Sequence, residues 1–233
     1  MTAITVDTGP REKNGRNGGK LLLNLWVRAG VAAAVAVAFS FLYFFVRQYF
    51  KEGVWRFDLL LVNKSLGTAA LFLVALSMFL TGVAFFSRRS RRSLAYRKHY
   101  GLMGFWTGLA HGAVNHFWLP AVGLQPERKL DVWLSDAPGL LALVLFGAMA
   151  LLSNAGVKGR LGGETWRKAL RYGGYAGLLL AVAHATLLKW TSWTKYVRTF
   201  DSVLPSLSLP VAAFAAAAVV LRLAAWIFEA RKK

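Results

Sequence analysis

The sequence predicts an all-α membrane protein, a bundle of six transmembrane helices with both termini in the cytoplasm. Three observations carry this. Apolar residues make up 56% of the 233-residue chain, against about 45–50% for an ordinary soluble domain, and the mean hydropathy is +0.44. Those residues fall into six blocks, each about long enough to cross a hydrocarbon core. The Lys and Arg residues between the blocks are unequally sorted to alternating sides. A soluble enzyme, a secreted disulfide scaffold and a disordered chain are thereby excluded. The chain has no cysteine, so a disulfide, a thiolate zinc site, an iron–sulfur cluster and a cysteine nucleophile are excluded too.

Taken in order, residues 1–20 are polar, glycine-rich and basic, with neither a short apolar core nor a small-residue cleavage site. They read as a disordered cytoplasmic tail rather than a signal peptide. Residues 21–233 form the membrane domain, with spans at Ala29–Val46, Leu66–Phe86, Tyr100–Pro120, Ala137–Leu152, Tyr172–Leu188 and Val203–Phe228. The fourth opens on Asp136-Ala137-Pro138, a cap-then-proline start. The sixth carries Pro205 and Pro210 near its beginning, so its first turn is expected to be irregular. No stretch alternates with period two, which argues against a membrane barrel.

Orientation follows from the charges. One side holds Arg11, Lys13, Arg16 and Lys20, six basic residues in Arg88–Lys98, five in Lys158–Arg171 and three in Arg231–Lys233, 18 altogether. The other side holds 9: Arg47, Lys51, Arg56, Lys64, Arg128, Lys129, Lys189, Lys195 and Arg198. The denser side is expected to be cytoplasmic. The net charge of +19 is therefore mostly a topology signal, and no nucleic-acid partner is expected. Membrane lipid is.

Ionisable residues inside spans are costly and are functional candidates by default. Three histidines qualify: His111 and His116 on the third span and His184 on the fifth. His99 lies in the basic cytoplasmic border. The third and fifth spans both run outward, and His111 follows Lys98 by 13 residues as His184 follows Arg171 by 13. At ~1.5 Å per residue both imidazoles lie roughly 20 Å from the inner edge, at one depth.

The glycines repeat the match. Gly101 and Gly104 stand ten and seven positions before His111, and Gly174 and Gly177 stand ten and seven before His184. Seven residues is nearly two turns, so Gly104 and Gly177 share a face with their histidine. Two neutral imidazoles and a bare helical surface are what a porphyrin with two axial ligands needs. The competing reading is ordinary: glycine faces support close helix packing, and a single intramembrane histidine can serve as an interhelical hydrogen bond. His116 lies about 140° around the helix from His111, suited to an interfacial hydrogen bond or a separate relay role. Arg28 and Arg171 face the cytoplasmic side, where they either snorkel to lipid phosphate or pair with an anionic cofactor or electron donor.

At these residues the sequence resembles the ferric-reductase-like transmembrane family, in particular its MsrQ/YedZ-type branch of heme-binding membrane subunits. The segment Arg97-Lys98-His99-Tyr100-Gly101-Leu102-Met103-Gly104-Phe105, running on to His111, resembles that branch's third-span motif. Leu66-Gly67-Thr68-Ala69-Ala70, leading to Leu80-Thr81-Gly82, resembles its second span. Leu161-Gly162, then Trp166, Leu170, Tyr175 and His184, resembles its fifth. The likeness covers roughly Leu66 to Trp190, a core of about residues 66–190. It implies heme b held by His111 and His184, with Gly101, Gly104, Gly174 and Gly177 around it and Arg171 and Arg28 on the cytoplasmic side.

There are departures. The family commonly has a histidine 13 residues before the one matching His184; here that position is Arg171, and its counterpart on the third span is Lys98. One heme rather than two is therefore expected. The chain has no glycine-rich dinucleotide fingerprint and no room for a flavin- and nicotinamide-binding domain, so a separate donor, a quinol or a cytoplasmic flavoprotein, is expected. A flavin or quinone would be a second cofactor.

The resemblance thus implies the electron-transfer subunit of an oxidoreductase in the inner cell membrane. It would pass electrons to an outer-side acceptor, such as a periplasmic methionine sulfoxide reductase or ferric iron. Two readings compete: a transporter using the histidines as a proton relay, and a cofactor-free membrane assembly subunit. No intramembrane carboxylate accompanies the histidines, which weighs against the relay.

Overall fold

The computed structural model describes residues 11–87, 89–124, 130–200 and 202–231, and every regular element among them is helical. In chain order these are α1 (Arg11–Glu52), α2 (Leu59–Phe86), a 3-10 turn (Arg89–Ser93), α3 (Leu94–Ala113), a π-helical turn (Val114–Trp118), α4 (Leu119–Ala121), α5 (Leu130–Leu152), α6 (Ala155–Leu161), α7 (Gly163–Thr199) and α8 (Ser208–Ala230). Four segments are long and apolar enough to cross a membrane: Leu23–Glu52, Leu59–Phe86, Leu134–Leu152 and Ser208–Ala230. The chain is a multi-pass helical membrane protein on that ground. The third and fifth spans expected from the sequence lie in α3 and α7, outside these four. Their apolar residues are diluted by glycine, threonine and histidine and by basic stretches at their starts.

Three boundaries differ from the sequence expectation. α1 begins at Arg11, within the stretch read as a disordered tail, while residues 1–10 lie outside the described residues. Arg11, Glu12, Lys13, Arg16 and Lys20 favour extension of a helix already nucleated in the apolar segment, against a cost of about 1 kcal/mol for each of Gly15, Gly18 and Gly19. Pro138 does not open the fourth span but sits inside α5, where it lacks the N–H that would bond the Leu134 carbonyl one turn back. The sixth span begins late: residues 202–207 form bends and turns before α8 starts at Ser208, the irregular start that Pro205 and Pro210 predict. That segment is tied to α1 by Tyr43, whose hydroxyl donates to the Pro205 carbonyl at 3.0 Å, and by Arg47 Nε, which donates to the Leu204 carbonyl at 3.0 Å.

α2 is the central helix. The Asp58 carboxylate caps it, accepting the Leu61 N–H at 2.7 Å, one of the donors a helix start would otherwise leave unpaired. More than half of its apolar window is buried, and Ala69, Leu73 and Ala75 are fully enclosed. α3, α8, α1 and α7 all pack on it, while α7 packs chiefly on α5. Direct backbone contact between α3 and α7 is slight, so α2 and α5 flank the space these two helices face.

Small residues let the pairs approach. A Cβ at Gly104 of α3 would lie 2.7 Å from Val74 Cγ2 and 3.0 Å from the Val74 backbone nitrogen, and backbone cannot move aside as a flexible side chain can. At Gly108 the nearest atom would be Leu143 Cδ2 at 3.4 Å, close to ordinary contact. Gly104→Ala is therefore expected to destabilise the fold by roughly 1–3 kcal/mol, the cost of overpacking a filled interface, while Gly108→Ala is nearly neutral. Thermal unfolding of the two detergent-purified variants checks this; equal midpoints would contradict it.

Candidate functional site

The two histidines predicted to act together do meet. The His111 and His184 ring centroids are 6.4 Å apart with their planes at 62°, although their helices scarcely touch. Each ring is held through Nδ1 by the helix opposite. His184 Nδ1 lies 2.6 Å from the Ser135 carbonyl of α5. His111 Nδ1 lies 3.0 Å from the Asn63 carbonyl and 2.7 Å from the Asn63 side-chain Oδ1, both on α2. Carbonyl and amide oxygens only accept, so each Nδ1 carries the proton. In the neutral ring the lone pair then resides on Nε2.

Histidines that ligate metals commonly donate one ring nitrogen to a carbonyl in this way, which fixes the tautomer and raises the basicity of the other. With a metal–nitrogen bond of about 2 Å and about 1 Å from nitrogen to ring centre, two imidazoles on one metal have centroids roughly 6 Å apart. The observed separation matches. Among the described residues no group of three or more His, Cys, Asp or Glu side chains could hold a metal. The pair could hold a metal only together with donors from outside these side chains, as a heme would supply. By its donor set the site fits a bis-imidazole heme.

What seats the rings is a glycine one turn along the same carbonyl-bearing helix. A Cβ at Gly67 would come within 3.0–3.1 Å of His111 Cε1, Nδ1 and Nε2, and one at Gly139 would lie 2.8 Å from His184 Nδ1. A helix carbonyl at position i already accepts from the N–H at i+4; a side chain at i+4 would stand between that oxygen and an incoming imidazole. Glycine there opens the carbonyl to a second donor. Asn63 with Gly67 and Ser135 with Gly139 repeat the same device on the two helices.

These four residues escaped the sequence reading, which sought glycines on the histidines' own helices. A signal was present: a polar residue followed at i+4 by glycine, near the start of both the second and fourth apolar blocks. The four glycines singled out instead face other neighbours. A Cβ at Gly101 would lie 3.3 Å from Ser77 Oγ, Gly104 faces Val74 and Ala70, Gly174 faces Met78 and Met149, and a Cβ at Gly177 would lie 2.8 Å from Phe146 Cε1. Inward of the pair, side chains of α2 and α5 thus occupy the positions these glycines leave bare.

Depth also becomes concrete. Asn63 is four residues into α2 and Ser135 one residue into the apolar segment Leu134–Leu152, so the pair lies near one end of the apolar layer. A groove of about 540 Å³ is lined by Ala33, Ala34 and Val37 of α1, Val62 and Ser65 of α2 and Thr107 of α3. Val62 and Ser65 flank Asn63, and Thr107 is one turn before His111. His116 falls in the π-helical turn after α3, a local widening that recurs at functional sites.

At the opposite end lie the remaining candidates. Arg28 Nη1 donates to the Tyr96 hydroxyl at 3.0 Å, and Tyr96 is 15 residues before His111, about 22 Å along the helix. Arg171 is exposed and lies near Arg97, as does Arg222. Burial lowers the Arg97 pKa from its usual value; Tyr175 opposes this, and repulsion from Arg222 and Arg171 adds to it. Neither Arg28 nor Arg171 is brought to the histidine pair. His99 is buried edge-on against Trp26, ring centroids 4.8 Å apart, with Nδ1 3.1 Å from the Ala95 carbonyl, and Lys98 Nζ donates to the Ser153 carbonyl at 2.9 Å. Compared with protein-family models and with curated proteins, the chain matches none.

Proposed function

We propose that this chain is a heme-binding electron-transfer subunit of a membrane oxidoreductase, with His111 and His184 as the two axial ligands of one heme b. The single observation that carries the reading is the mutual geometry of the pair: both Nδ1 atoms tied to helix carbonyls, both Nε2 lone pairs uncommitted, and ring centres 6.4 Å apart. A proton relay has no use for two rings locked in one tautomer, because a relay histidine must exchange protons at both nitrogens. A purely structural histidine needs one partner, not a second histidine at metal-bridging distance.

When bound, heme supplies a one-electron carrier within the apolar layer. The chain's own residues do the rest. His111 and His184 donate lone pairs, the Asn63 and Ser135 carbonyls keep the ligating nitrogens free of protons, and Gly67 and Gly139 give the rings their seats. The single-heme reading is supported at the inner end. Arg171 and Lys98 stand where further ligands would be needed; a guanidinium stays protonated, and an ammonium has no lone pair. Phe146, Met78 and Met149 pack against Gly177 and Gly174 between the two levels.

We also propose six spans with both termini cytoplasmic, α3 and α7 crossing alongside the four apolar segments. The charge bias of 18 to 9 supports this orientation, which puts the pair near the outer face. An outer-side acceptor then receives the electrons, and a quinol or cytoplasmic flavoprotein provides them.

Two outcomes follow. His111→Ala and His184→Ala should each abolish bound heme in the purified protein, while His116→Ala and His99→Ala retain it, read from oxidised and reduced absorption spectra. Retention of heme by His111→Ala would defeat the assignment. Reporter fusions at Lys233 and within the loop between Val122 and Ser135 should report opposite compartments; the same compartment for both would refute the topology.

A further inference from the structure

We propose that Asn63 is a positioning residue that lowers the reduction potential of the iron through His111. This rests on the heme reading above. The two rings are not held alike. His184 Nδ1–H has one acceptor, the Ser135 main-chain oxygen at 2.6 Å. His111 Nδ1–H lies between two oxygens of a single residue, the Asn63 main-chain carbonyl at 3.0 Å and its side-chain Oδ1 at 2.7 Å.

The amide is fixed in that orientation. Asn63 is 6% exposed on the most deeply packed helix of the bundle. Its Nδ2 donates at 3.3 Å to Asn115 Oδ1 in the π-helical turn that follows His111. With the N–H end engaged by Asn115, the oxygen end is left facing the imidazole. Burying an amide is costly unless its polar atoms are bonded, a cost that a leucine, with the same branching of heavy atoms, would avoid.

The chemistry gives the direction. An acceptor on Nδ1–H draws the proton outward and raises electron density on Nε2, and a more basic axial ligand favours ferric over ferrous iron. Two acceptors do this more strongly than one. Because one of them is a side chain, it can be changed without breaking a helix, whereas the carbonyl serving His184 is part of the α5 backbone.

The test is the heme midpoint potential of the full-length protein in detergent, beginning with the unsubstituted chain. A chain that purifies without heme would overturn the ligand reading itself, before any variant is made. Given heme in the unsubstituted protein, Asn63→Leu should keep the bis-histidine spectrum, since the main-chain carbonyl and Gly67 remain to seat the ring. It should also shift the ferric–ferrous equilibrium about tenfold toward ferrous, a rise of ~59 mV for a one-electron couple. Asn63→Ser, whose shorter side chain withdraws the amide oxygen with less apolar change, should shift the same way. Potentials unchanged in both variants, or a fall in either, would overturn the proposal. Loss of heme from both would make Asn63 a structural support only and would overturn it equally.

Discussion

The hydrogen bond from each imidazole to a helix carbonyl is the interaction on which the site depends. In an apolar layer there is no water to satisfy a stray N–H, and an unbonded polar group there costs several kcal/mol (about 2–7 on transfer scales). A histidine placed in such a layer must therefore find an acceptor, and nearly every backbone acceptor is already engaged within its own helix. The structure meets this by opening a helix carbonyl at a glycine one turn on, twice over, at Asn63 with Gly67 and at Ser135 with Gly139. Once the Nδ1 protons are so placed, each neutral ring keeps its lone pair on Nε2, and the two ring centres lie 6.4 Å apart.

That arrangement sets requirements on the rest of the bundle. α2 and α5 must each lie close to a histidine helix, so α2 packs on α3 and α5 on α7, with glycines at the closest approaches. The histidine helices themselves stay apart. α1 and α8 close the outside of α2, and the segment before α8 is fastened to α1 by Tyr43 and Arg47. Arg97, Arg171 and Arg222 gather at the far end, some 20 Å of helix away from the two histidines.

Much of this was legible in the sequence. Block length and hydropathy identify the helices: the first five expected spans fall within helical stretches, and the sixth does so only from Ser208 onward. The equal 13-residue intervals bring His111 and His184 to one level because both helices rise from the same side by the same step. What was not legible is which glycine faces which ring. Gly104 and Gly177 share a helix and a face with the histidines, so spacing alone selects them, yet they abut Val74 and Phe146. Gly67 and Gly139 lie on the neighbouring helices, and the register between helices is set by packing that no local pattern encodes. Pro138 shows the same limit: as a local signal it marks a helix start, whereas within α5 neighbouring turns accommodate the missing bond, as membrane helices allow.

The most direct measurement is the heme-to-protein ratio of the purified full-length chain, from quantitative heme extraction combined with amino-acid analysis. One bis-imidazole site defined by His111 and His184 predicts a ratio near one. A ratio near zero, with the chain folded, would contradict the reading of the pair as axial ligands, and a reproducible ratio near two would contradict the single site.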